Sequence, residues 1–138
     1  MFIIAGQMKN LVHNKQFFGV VFWLWFSFIL IISLIPNIFP MEISVEEQKT
    51  IRLDYLFHFI AYGLLGLFFL LWKSDTEFRM QTKTLWLFLI GGFLLASLSE
   101  LSQLFIPGRS FNPYDFISNN LGVLAGGLLP RKLLRRFF

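Results

Sequence analysis

The chain has 138 residues, of which 56% are hydrophobic and 19% aromatic against 14% charged, with 19 phenylalanines and a formal net charge of +4. That balance leaves too little polar surface to coat a water-soluble globule and points to lipid as the solvent. The absence of cysteine removes thiol catalysis, disulfides, Cys-ligated zinc and iron–sulfur clusters, and two histidines, His13 and His58, cannot build a multi-histidine site in one chain.

Residues 1–16 are mixed and lightly basic, with Lys9, His13 and Lys15. The uncharged run 17–35, FFGVVFWLWFSFILIISLI, is long enough for a helix across roughly 30 Å of hydrocarbon. Its length, Pro36 behind it and the lack of a small-residue cleavage site predict a retained helix rather than a signal peptide. Residues 37–52, with Glu42, Glu46, Glu47, Lys49 and Arg52, read as an acidic connector holding a short interfacial helix around SVEEQKTI.

The second span, 53–72, is interrupted only near its start, by Asp54 and His58, and a polar connector with Lys73, Arg79 and Lys83 follows. The third span, 84–106, carries Glu100 near its end, and Pro107-Gly108 then signals a turn. The fourth, 113–129, is short and glycine-rich, and Pro130 is expected to close it before the basic tail RKLLRRFF. Gly122 and Gly126, with Gly127, predict a close helix-packing surface. The fold class expected is therefore all-α: one polytopic membrane domain over residues 1–138 with four transmembrane helices.

Lys and Arg set orientation. Nine of them (Lys9, Lys15, Lys73, Arg79, Lys83, Arg131, Lys132, Arg135, Arg136) fall on one side and three (Lys49, Arg52, Arg109) on the other, so both termini are expected in the cytoplasm. The basic tail suits anionic lipid headgroups, and the net charge requires no nucleic-acid partner. In that topology the polar residues converge at the extracytoplasmic end. Asp54, His58 and Tyr62 are spaced i, i+4, i+8; Glu100 and Gln103 i, i+3; Asp115 and Asn119 i, i+4, so each set shares a helix face. Glu100 would lie about 9 Å below the end of its span. Ionisable groups at such depth are costly and usually functional.

Structural roles compete for some of these residues. Asp115 fits the first turn of a helix capped by Asn112 with Pro113 at its first position, and Asp54 fits the first turn of another. His58, a turn deeper between Phe57 and Phe59, and Glu100 are harder to explain as structure alone.

Three motifs remain: D-x-x-x-H-F-x-x-Y at Asp54, His58, Phe59 and Tyr62; E-x-x-Q-x-F-x-P-G-R-S at Glu100, Gln103, Phe105, Pro107, Gly108, Arg109 and Ser110; and D-x-x-x-N-x-x-G at Asp115, Asn119 and Gly122. Together, over the second to fourth spans, they resemble the VanZ-like membrane proteins. One departure is Tyr55, where many relatives carry a basic residue before the histidine. The resemblance implies a multi-pass protein of the bacterial plasma membrane, of the kind named for low-level teicoplanin resistance, with no cofactor. It does not supply a reaction.

Two readings of the cluster follow from the residues. In one it acts on a lipid or lipid-linked envelope precursor: His58, oriented by Asp54 or Asp115, serves as general acid or base, Glu100 donates a proton, Arg109 holds a phosphate or carboxylate, and Asp54, Tyr62, Gln103 and Asn119 line the substrate. In the other nothing is turned over, and Arg109 locks the hairpin by pairing with Glu100 and Asp115 while the outer cleft binds a lipid or a partner protein. A divalent-metal site from Asp54, His58, Glu100 and Asp115 is a third arrangement, disfavoured because nothing in the sequence fixes its geometry. Oligomeric state is left open.

Overall fold

The architecture comes from a computed structural model that describes residues 14–35, 42–45, 49–52, 54–75, 77–107 and 111–137. Its helices are α1 (Lys15–Leu34), α2 (Asp54–Lys73), α3 (Thr82–Ser102), extended by a 3-10 turn at Gln103–Phe105, and α4 (Pro113–Phe137). Two short strands, β1 (Glu42–Val45) and β2 (Lys49–Arg52), separate α1 from α2. The segments Lys15–Leu34, Asp54–Lys73 and Thr82–Phe105 are each long and apolar enough to cross a membrane.

α1 begins where the Asn14 side chain accepts the Phe17 N–H at 3.1 Å, satisfying one of the donors a helix start leaves over. It is apolar on every side, yet only Phe18, Gly19, Phe22 and Ile29 are buried. Its exposed face displays Phe17, Trp23, Leu24, Phe28 and Ile31, a surface that lipid tolerates and water does not. The buried stripe meets α2, where Phe22 packs on Phe69 and Trp72 with ring centroids 5.4 and 5.5 Å apart. Trp25 secures the same contact by donating its indole N–H to the Ala61 carbonyl at 2.9 Å.

The closest helix contact joins α2 to α4, and glycine makes it possible. A Cβ at Gly66 would stand 2.5 Å from the Gly126 carbonyl carbon, one at Gly122 would stand 2.5 Å from the Phe59 oxygen, and one at Gly126 would land on the Gly63 carbonyl. The backbones touch, as small-residue spacing at i and i+4 allows in membrane helices. Gly127 turns instead toward Phe88 and Leu89 of α3. The packing surface expected from Gly122, Gly126 and Gly127 is present.

Each of these helices buries one stripe at helical spacing: Tyr62, Leu65, Gly66 and Leu70 on α2, and Leu85, Phe88, Leu89, Gly92, Ala96, Ser99 and Glu100 on α3. On α4 the buried positions are Asp115, Asn119, Gly122, Val123, Gly126 and Gly127. The apolar parts of these stripes form one core around Leu65, Phe88, Leu89, Ala96 and Val123.

Two local expectations need correction. Residues 42–52 form no helix where described: β1 and β2 pair antiparallel, with Glu42 opposite Arg52 and Ile43 opposite Ile51. β-branched residues at Ile43, Val45, Thr50 and Ile51 favour the extended chain over the helix the charges suggested. And α4 does not stop at 129; it runs through Pro130 to Phe137. A proline removes one N–H and crowds the carbonyl four residues back, but the strong helix formers Lys, Leu and Arg that follow resume the ladder.

The connector after α2 is compact. The Asp75 carboxylate accepts the backbone N–H groups of Glu77 and Arg79 at 2.9 and 2.7 Å, while Phe78, at φ 55°, and Met80 fold their side chains inward to near-complete burial. A left-handed phenylalanine costs about 1–3 kcal/mol, which burial of its ring offsets.

Candidate functional site

Polar side chains occupy the same end of all three stripes, where the start of α2, the end of α3 and the start of α4 come together. Glu100 has no exposed surface, Asn119 is 1% exposed, and Tyr62, Ser99, Gln103 and Asp115 are also buried. Glu100 continues the 85–89–92–96 face of α3, and Asp115 and Asn119 continue the glycine face of α4, so helix periodicity sends them inward.

A connected set of contacts links most of them. His58 Nδ1 lies 2.9 Å from Asn119 Oδ1, and its Nε2 lies 3.9 Å from Asp115 Oδ2, within reach of charge attraction but beyond a hydrogen bond. With Asn119 Oδ1 as acceptor, Nδ1 carries the proton and Nε2 is the nitrogen left for chemistry. Asp115 Oδ2 accepts the Asn112 side-chain N–H at 2.9 Å. The Asn112 backbone N–H in turn donates to Glu100 Oε1 at 2.9 Å, and Gln103 Nε2 donates to Glu100 Oε2 at 3.3 Å. Below His58, the Tyr62 hydroxyl meets Ser99 Oγ at 2.7 Å; Ser99 gives its own proton to the Ala96 carbonyl at 2.9 Å, which leaves Tyr62 as donor.

Asn112 is therefore the keystone of the turn. Its Oδ1 caps α4 by accepting the Tyr114 N–H at 3.0 Å, its amide nitrogen holds Asp115, and its main chain is tied to Glu100 on α3. The capping expected from the Asn112-Pro113 pair is present, but the sequence offered no sign of the tie across to α3. Ser99 is marked in the sequence only by its spacing, which places it on the buried α3 stripe.

Of the eight site residues singled out by sequence, His58, Asn119 and Asp115 meet directly, and Glu100 and Gln103 join them through Asn112. Tyr62 bonds to Ser99 one turn deeper. Asp54 is the first residue of α2 and accepts the Tyr55 N–H at 3.1 Å, as a first-turn acid does. Arg109 lies outside the described residues.

Beside buried Asp115, whose side chain is 8% exposed, the His58 side chain is 30% exposed. The Tyr55 and Tyr114 rings pair at 5.5 Å beside it, at the helix starts where interfacial aromatics gather. Among the described residues no three His, Asp or Glu side chains group to hold a metal ion. Asn112 stands between the Glu100 and Asp115 carboxylates, so the metal set weighed from sequence is not assembled.

Three helices long and apolar enough to cross a membrane, α1 to α3, together with the polar end that α2, α3 and α4 build, mark a multi-pass helical membrane protein. A family model described as VanZ/LLP1 matches residues 3–135, nearly the whole chain, and the chain belongs to that family. No curated protein and no solved structure matches it.

Proposed function

We propose that α4 is a fourth span, that both termini face the cytoplasm, and that the polar end of the helices opens toward the outer leaflet of a bacterial plasma membrane. There it binds a lipid or lipid-linked cell-envelope component, a role that fits low-level resistance to teicoplanin-type glycopeptides. The supporting observation is the partly exposed His58 fixed by buried Asn119 beside Asp115, a polar assembly with no structural need in an apolar helix face.

Within this reading His58 contacts the ligand through Nε2, and where the ligand is turned over this nitrogen moves the proton, with Asp115 stabilising the charged ring. Asn119 positions the ring. Arg109, three residues before Asn112 in the sequence, supplies the fork for a phosphate or carboxylate. Glu100 is assigned a different task from proton donation, because it has no exposed surface and both of its oxygens accept hydrogen bonds: it anchors the turn.

The test is lipid and peptidoglycan-precursor profiling, with teicoplanin susceptibility, of cells expressing wild type or His58→Gln at equal membrane level. A species present or depleted only with wild type, together with lost resistance in the variant, is the expected result. Identical profiles and susceptibilities would overturn the reading.

A further inference from the structure

At the opposite end, the start of α1, the end of α2 and the start of α3 enclose an open concavity of about 530 Å³. Lys15, Lys73 and Arg79 line it with Gln81 and Thr84, and Asp75 is the one carboxylate in its wall. Lys15 lies 58 or more residues from Lys73, at the end of α2, and Arg79, in the connector that follows, so tertiary folding brings it beside them.

Their attachments leave the charges available. Lys73 Nζ rests 3.6 Å from the centroid of its neighbour Trp72, which orients the ammonium without neutralising it. Arg79 pairs with Glu77 at 2.5 Å, but both side chains are more than 60% exposed, so the pair is weak and its partner exchangeable. Asp75 turns one oxygen to the backbone N–H groups of Glu77 and Arg79. No acidic residue occupies the first turn of α3, and Gln81 gives it no side-chain cap.

We propose that this concavity binds a phosphate-bearing anion, with the two lysines as point charges and Arg79 exchanging Glu77 for the phosphate oxygens. Its place at the helix ends puts it at headgroup depth, where basic pockets between spans hold anionic lipids. This site is separate from the His58 cluster and stands whether or not that cluster binds an envelope component.

Native mass spectrometry of the full chain, released from detergent in the presence of phosphatidylglycerol, phosphatidylcholine or inorganic phosphate, tests it. One phosphatidylglycerol should be retained in preference to phosphatidylcholine. Lys15→Gln and Lys73→Gln should each weaken it about fivefold, while Glu77→Gln strengthens it and helical content by circular dichroism stays the same. Lys83→Gln, a cation outside the concavity, should change nothing. Retention of inorganic phosphate with the same dependence on Lys15 and Lys73, but no preference among lipids, assigns the anion to the soluble phase and upholds the site. If the Lys15→Gln/Lys73→Gln double variant binds every probe as wild type does, or if Lys83→Gln weakens binding as much as Lys73→Gln, the proposal falls.

Discussion

Glu100 and His58 are both costly residues for a membrane helix, and their surroundings divide their labour. Glu100 accepts the Asn112 backbone N–H and the Gln103 amide in a fully enclosed position. Glu100→Leu would orphan both donors, and the loss should be about 1–3 kcal/mol, read as a lower melting temperature in detergent. Glu100→Gln keeps an acceptor for the Asn112 N–H and should retain most stability and function; loss of function in a well-folded Glu100→Gln protein would return Glu100 to the role of proton donor. Asn119→Leu removes the partner of His58 Nδ1. Under the proposed function it should leave the protein in the membrane but reduce resistance toward the His58→Gln level, whereas resistance kept in Asn119→Leu and lost in His58→Gln would show that His58 needs no positioning. The identity of these residues was legible because each interrupts an apolar run. The part of Asn112 was not: capping is a local property written in Asn-Pro, while its bonds to Glu100 and Asp115 exist only once α3 and α4 have met.

Helix positions were readable to within about three residues because spans of this kind are defined by the length of an uncharged run. The exceptions were places where short-range signals conflict. The charges between 42 and 52 suggest helical pairs while Ile43, Val45, Thr50 and Ile51 favour strands, and the hairpin results. Pro130 suggested an end to α4 that the following helix formers override. The glycine seam between α2 and α4 belongs to the same scale and gives a sharp comparison. Gly126→Ala would drive a methyl group into the Gly63 main chain, which cannot swing aside, whereas Gly91→Ala meets nothing within 4 Å. Gly126→Ala should cost about 1–3 kcal/mol and shift the protein toward aggregates on size exclusion, while Gly91→Ala should melt at or above the wild-type temperature. Equal behaviour of the two would mean that the helices do not pack as closely as described.

Taken whole, the molecule is polarised. Buried carboxylates and amides collect at one end, and Lys15, Lys73, Arg79, Lys83 and Arg131 at the other, with apolar stripes between. The asymmetry of Lys and Arg predicted an orientation and, with it, the gathering of Asp115, Asn119, His58 and Glu100 at one end; which of them touch depends on how α2, α3 and α4 pair. The chain has no native cysteine, so single cysteines report without background. The direct test of orientation is labelling of His58→Cys, Tyr114→Cys, Lys73→Cys and Lys83→Cys by a membrane-impermeant maleimide in intact and permeabilised cells. The account predicts that positions 58 and 114 react in intact cells and that 73 and 83 react only after permeabilisation. Labelling of 73 and 83 from outside, or of 58 and 114 from opposite sides of the membrane, would contradict it.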